Sequence, residues 1–264
     1  MLGRNTPMFP IIPIPLLDIN LYTFGLFLIA ALGAFVYMLQ KMCRKLDINP
    51  NFFLGSALTF VLATFLGARG FFVLLEWRDY EFIVRDHLLN FFVMTDYNLS
   101  LVWGLIGFVS VLVYRLMRHS QKHEKYIDAV VIAFLFAAII GYLWAFFGGQ
   151  IYGSPTSLPI GIIYWENLNI PYTSAILPLA LIYSFGCFII FSSIYISREF
   201  LKISGFIGYL GIALFSLMLL VGEFFSGNDD ILTNYIHIGF TQIGAIIGLI
   251  ISGIWLSRKI YWLK

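Results

Sequence analysis

A chain of 264 residues that is 60% hydrophobic, 18% aromatic and only 11% charged cannot cover a soluble surface with polar groups. Its net charge of +2 is spread over short loops with no concentrated basic patch, which excludes a nucleic-acid partner, and mean hydropathy is +0.89. The expected fold class is an all-α integral membrane protein, a bundle of about seven transmembrane helices forming a single polytopic domain over 1–264. Met1–Leu17 carries prolines and little helical period and is not expected to be a cleavable signal peptide. Apolar spans follow at about 20–40, 52–75, 98–114, 127–148, 174–197, 204–225 and 239–257. Each approaches the ~20 residues needed to cross a ~30 Å hydrocarbon core, the third being the shortest. All are expected to be helices, because a lipid-facing backbone must satisfy its own hydrogen bonds.

Charge placement orients these spans. Lys41, Arg44, Lys45, Arg115, Arg118, Lys122, Lys125, Arg198, Lys202, Arg258, Lys259 and Lys264 all fall on one side, against Arg4, Arg78 and Arg85 on the other. The positive-inside rule makes the basic side cytoplasmic, with the N-terminus outside and the C-terminus inside a plasma (inner) membrane. The longest outward connections, 77–97 and 149–172, are then extracytoplasmic and form a small cap. In the first of them Tyr80, Ile83, Val84, Leu88 and Phe91 recur near helical spacing among charges, as in a helix lying in the interface. Cys43 and Cys187 have neither the spacing nor the setting of a disulfide or a metal site, and no metal or cofactor is expected.

The stretch from Gly141 to Pro159 carries the most information about function. An apolar helix there runs into a glycine-rich polar turn at the membrane surface. Gln150, Tyr152, Ser154 and Thr156 supply hydrogen-bonding groups where a helix end leaves carbonyls free, and Gly153 permits close backbone approach, so a lipid headgroup site is expected there. Read without gaps, Gly141, Leu143, Phe146, Gly149, Gly153, Pro155 and Thr156 resemble the signature of the prolipoprotein diacylglyceryl transferases. That family's functional Arg, Asn and Glu fall on Tyr142, Ala145 and Gln150. A second stretch, Leu99 to Gly107, keeps Ser100, Gly104, Leu105, Ile106 and Gly107 of the family pattern, with Val102 where the family has His. Gly104 and Gly107 also suit small-residue helix packing, as does the Gly244 to Gly248 pair. Weaker similarities lie at Leu66 to Leu75, Phe24 to Leu26, Ile170-Pro171, Thr241-Gln242 and Glu223 to Asp229, with Leu219 where an arginine is usual.

Arg69 lies well inside the second span, where insertion scales charge roughly 2.5–3.5 kcal/mol unless the group is paired or hydrated. It contacts an anionic lipid phosphate through its planar guanidinium, or it forms a structural ion pair with Glu223. His119 and His123 fall in the basic loop and His87 in the interfacial segment; His237 with Asp229 and Asp230 reads either as an acid–base group or as a plain interfacial histidine.

The resemblance implies transfer of a diacylglyceryl group from phosphatidylglycerol, or a similar anionic lipid, to the cysteine of a prolipoprotein signal peptide. With it come membrane lipids as partners and a headgroup site drawn from Arg69, Gln150, Tyr152, Gly153, Ser154 and Glu223. Substitutions at Tyr142, Ala145, Gln150 and Val102 leave the catalytic residues unknown, and the alternative is a degenerate paralogue that binds lipid or lipoprotein precursor without transfer. A small transporter would call for internal repeats, which the sequence lacks. The orientation is testable by cysteine accessibility in a background free of Cys43 and Cys187. An impermeant reagent outside the cell is expected to label cysteines placed at Ser157 and Asn228 and to spare those at Gln121 and Ser257; the reverse pattern overturns the N-out arrangement.

Overall fold

The structure is a computed structural model that describes residues 11–14, 19–75, 101–119, 123–164, 170–201, 203–227 and 239–261. A short antiparallel hairpin, β1 (Ile11–Ile14) and β2 (Ile19–Tyr22), pairs Ile11 with Tyr22 and Ile14 with Ile19 and leads directly into the first helix. The helices follow in the order α1 (Thr23–Leu46), α2 (Asn51–Leu54), α3 (Ala57–Leu75), α4 (Leu101–His119), α5 (His123–Phe147), α6 (Leu179–Ser197), α7 (Phe206–Glu223) and α8 (Phe240–Tyr261). Five stretches, Gly25–Leu46, His123–Phe147, Leu179–Ser197, Phe206–Glu223 and Thr241–Lys259, are long and apolar enough to cross a membrane, and Ala57–Gly70 is apolar but shorter. The chain is thus a multi-pass helical membrane protein, with an expected seven spans met by seven long helices among the described residues.

Several boundaries differ from those expected. The first helix continues to Leu46, past Lys41, Arg44 and Lys45, because long basic side chains favour helix and snorkel from its end. The second span is split: Pro50 opens the single turn α2, and α3 begins only at Ala57 after a turn at Gly55 and Ser56. The third helix starts at Leu101 and runs through Arg115 and Arg118 to His119. The 77–97 connection, with His87, and the group His237, Asp229 and Asp230 lie outside the described residues.

The chain divides into two compact units. One comprises 49–123 and holds α2, α3 and α4. Within it α3 and α4 cross at small residues: a Cβ added to Gly107 would collide with the Ala63 carbonyl, and one on Gly67 with that of Trp103. Gly104 and Gly107 therefore have a packing role of their own, whatever else they share with the family pattern. The Phe60 and Phe108 rings meet 4.9 Å apart between the same two helices. At the basic end Arg115 donates to the Ser56 hydroxyl, and its guanidinium carbon stands 5.0 Å over the Phe52 ring.

The other unit, 1–48 with 124–264, holds the hairpin, α1 and α5 to α8. Its helices also approach through small residues. Gly222 on α7 faces the Tyr183 ring on α6, and Gly248 on α8 faces the Ser216 side chain on α7. The Ser252 hydroxyl, fully buried, bonds back to the Gly248 carbonyl at 2.6 Å. Basic helix ends gather at one pole of this unit: Lys125 donates to the Leu46 carbonyl at 3.1 Å, and Lys259 pairs with Glu124 at 2.5 Å. At that pole α7 begins at Gly205 with φ of +82° and no cap from its own sequence. Asp128 of α5 caps it from across the bundle, its buried carboxylate accepting the amides of Gly205 at 2.7 Å and Gly208 at 2.6 Å. An anion at a helix N-terminus is held by both the orphan amides and the helix dipole. Replacing Asp128 with alanine leaves two amides without their acceptor, and at 1–3 kcal/mol each the loss is expected to be about 2–6 kcal/mol. Asp128→Asn, which keeps one acceptor, should lose less; equal melting temperatures of both variants and the parent in detergent would refute the cap.

Candidate functional site

At the opposite pole of this unit three segments leave their helices and meet. The α5 helix ends at Phe147, and Gly149, with φ of +64°, turns the chain away. Gln150 closes the turn through its amide to the Ala145 carbonyl at 3.0 Å. Beyond it the 152–156 segment runs between the approach to α6 and the exit of α7, bonded to both. The Gly153 amide donates to Leu177 at 2.9 Å, the Leu177 amide returns to Ser154 at 3.1 Å, and Thr156 donates to Ala175 at 2.9 Å. On the other flank Ser154 donates to the Phe225 carbonyl at 2.8 Å, and Gly227 to Tyr152 at 3.0 Å. Ile162 and Ile176 exchange a reciprocal pair at 2.9 and 3.0 Å, which folds the rest of the loop back onto this lattice.

Gly153 is buried at the centre because nothing larger fits. A Cβ there would lie 2.7 Å from the Leu177 Cβ and 2.9 Å from the carbonyl oxygens of both Leu177 and Phe225. Under the lattice sits an aromatic and aliphatic core of Ala145, Phe146, Tyr164, Ile176 and Ala180, against which Trp144, Ile151, Tyr152 and Tyr172 pack. The Tyr152 ring meets Tyr172 edge-on at 6.3 Å, and burial pushes the phenol of Tyr164 above its ordinary range.

Five of the six residues expected to form the site are brought together by these contacts. Gln150, Tyr152, Gly153 and Ser154 lie on the loop, and Glu223 ends α7 one turn before Ser226, whose amide it accepts at 3.1 Å. Glu223 is half-buried and acts electrostatically on the phenols of Tyr142 and Tyr183. Arg69 belongs to the other unit, on α3, where it is buried to 2% exposure. Tyr142 and Ala145, at 5% and 4% exposure, are packed inside, and the Tyr142 ring lies 5.2 Å from that of Tyr183. Leu219 is buried on α7. Val102 stands in the first turn of α4.

Tyr183 is the residue that sequence reasoning missed. It is 3% exposed, and its hydroxyl has no hydrogen-bond partner among the described residues. Its signal in the sequence is one of two phenols in the apolar run of α6, which reads equally well as packing. Among the described residues around the loop, the site offers amide, hydroxyl and phenol donors with the half-buried carboxylate of Glu223, a set suited to hydrogen-bonding a polar headgroup. The lattice makes a sharp demand on residue 153. Gly153→Ala must push its neighbours apart, at an expected cost of about 1–3 kcal/mol. Ser154→Ala, which keeps the backbone bonds, should stay within about 0.5 kcal/mol of the parent. Melting curves in detergent on both variants check this, and a Gly153→Ala protein as stable as its parent would contradict the close approach.

A family model described as prolipoprotein diacylglyceryl transferase matches residues 11–259. Among curated relatives, the phosphatidylglycerol--prolipoprotein diacylglyceryl transferase of Prochlorococcus marinus (strain MIT 9215) is 24% identical over 151 residues, covering 53% of this chain and 51% of that one. The protein of the same name from Synechocystis sp. is 27% identical over 152 residues, 57% of this chain and 50% of that one. The one from Clostridium tetani is 26% identical over 219 residues, 81% and 84% of the two chains. The chain spans about half the length of the first two of these relatives. With the hairpin, the helices α1 to α7, most of α8 and the loop lattice inside the matched residues, this chain belongs to the prolipoprotein diacylglyceryl transferase family.

Proposed function

We propose that this protein moves a diacylglyceryl group from phosphatidylglycerol to the cysteine thiol of a prolipoprotein signal peptide, in the plasma (inner) membrane, at the pole built around Gly153. The observation that carries this reading is the family match across 11–259 on a chain whose loop lattice gathers Gln150, Tyr152, Gly153, Ser154 and Glu223 at one pole. The basic helix ends lie at the other pole of the same unit. If the basic pole is cytoplasmic, the N-terminus is outside, and the site and the 149–172 connection face the outer leaflet. In the reaction the thiolate carbon–sulfur bond forms as the carbon–oxygen bond to the phosphate breaks, and glycerol phosphate leaves. The thiol must first give up its proton, since the thiolate is the nucleophile. Glu223, the carboxylate of this pole among the described residues, takes the base's place, while Gln150, Ser154 and the buried Tyr183 phenol supply donors to the departing phosphate.

A second reading is favoured by one set of positions. Tyr142, Ala145 and Leu219, where the resemblance would place Arg, Asn and Arg, are buried in packing and offer no cation. A protein so built holds lipid or lipoprotein precursor without transferring. Expression in cells depleted of their own diacylglyceryl transferase separates the two. Rescue of growth and of lipoprotein lipidation, with Glu223→Gln lowering lipidation by roughly 10²–10⁴-fold, supports transfer. Failure by a chain that is present in the membrane and melts cooperatively supports binding alone.

A further inference from the structure

At the basic pole, three cations converge on one ring. Lys45 donates to the Tyr195 hydroxyl at 3.0 Å, and its ammonium lies 5.0 Å from the centre of that ring. The Lys41 ammonium lies 5.6 Å from the same centre and 5.9 Å from that of Tyr37 one helical turn away. The guanidinium carbon of Arg198, at the end of α6, lies 5.1 Å from the Tyr195 ring, and the same group donates to the Met42 sulfur at 3.3 Å. Ring faces attract cations one at a time. Three gathered around one phenol repel one another, and long basic side chains at a membrane surface are free to swing apart into water. Among the described residues none of the three is in an ion pair. Among the described residues the Lys259–Glu124 pair of this pole leaves all three out.

We propose that Lys41, Lys45 and Arg198, arranged around Tyr195, bind a phosphate-bearing anionic group, and that its source is the headgroup of an anionic phospholipid in the leaflet at the basic pole. A phosphate set among the three cations relieves their repulsion and accepts hydrogen bonds from two ammonium groups and a guanidinium. The surroundings fit a lipid better than a free ion. Ile196 and Phe200 beside the cluster are exposed, Phe200 to 80%, and offer apolar surface to acyl chains. This site stands apart from the one proposed for the reaction, because α6 separates them: Leu179 leads from the loop lattice and Ser197 ends beside Arg198. It does not rest on the transferase reading.

The test uses the purified full-length chain in a zwitterionic detergent and follows its melting temperature against added phosphatidic acid, phosphatidylcholine or inorganic phosphate. Phosphatidic acid is expected to raise the melting temperature saturably and phosphatidylcholine to have no effect. The triple variant K41Q/K45Q/R198Q should lose about 100-fold in apparent affinity, from three charges each worth about tenfold or less near the surface. Arg44→Gln, which removes an exposed charge of the same helix end without touching Tyr195, should lose less than about tenfold. If the triple variant is unstable without lipid, Lys41→Gln decides, since it leaves the Lys45 hydrogen bond to Tyr195 in place and the loss of Lys41 should still weaken binding several-fold. Equal losses in Arg44→Gln and the triple variant would reduce the effect to general surface charge and overturn the site. Stabilisation by inorganic phosphate as strong as that by phosphatidic acid would overturn the lipid as its source.

Discussion

A chain that leaves a membrane helix carries carbonyls and amides that the helix no longer satisfies, at a depth where water is scarce. Here three such departures are solved together. The 152–156 segment donates to the approach of α6 through Gly153 and Thr156 and to the exit of α7 through Ser154, and accepts from Leu177 and Gly227 in return. This arrangement holds the C-terminal ends of α5 and α7 and the N-terminal end of α6 in register, and it places Gln150, Tyr152, Ser154 and Glu223 around one buried glycine. The backbone of the pole is thus positioned by hydrogen bonds between segments.

The two poles of the unit are built on opposite physical terms. Among the described residues, one is aromatic, with the half-buried carboxylate of Glu223 among phenols and amides. The other is crowded with cations and uses Asp128 and Glu124 locally, the first to cap α7 and the second to pair Lys259. The segregation matches what a membrane demands of a polytopic chain, where basic residues stay on the side from which they need not be translocated. It also bears on the chemistry. Positions 142, 145 and 219, which the family pattern fills with polar or cationic groups, are here absorbed into packing.

Much of the architecture was legible from hydropathy, since long apolar runs leave the backbone few alternatives to helix. What hydropathy misses is where helices end. It stops at the first cluster of lysines, whereas α1 continues through Lys41, Arg44 and Lys45 to Leu46, and it runs through Gly55, where the chain turns between α2 and α3. The hairpin before α1 was hidden because Pro13 and its neighbours give neither a helical nor a clean alternating period. At the site, the glycine-rich stretch and Glu223 were visible as residue types. Their sharing of one site was expected from the resemblance, but the backbone bonds that join Gly153, Leu177 and Phe225 were not legible, because they link segments distant in sequence. Tyr183 and Tyr195 escaped notice for a related reason: a tyrosine in an apolar helix acquires meaning only from what stands opposite it.

The claim on which the rest depends is that the loop lattice exists as a unit, and amide hydrogen exchange on the intact protein tests it most directly. The amides of Gly153, Ser154, Leu177 and Gly227, all donors within the lattice, are expected to exchange slowly and at similar rates, as members of one cooperative unit. Added phosphatidylglycerol should slow them further if the pole binds its headgroup. Exchange of these four amides at the rate of free loop, or with widely different protection among them, would contradict the account.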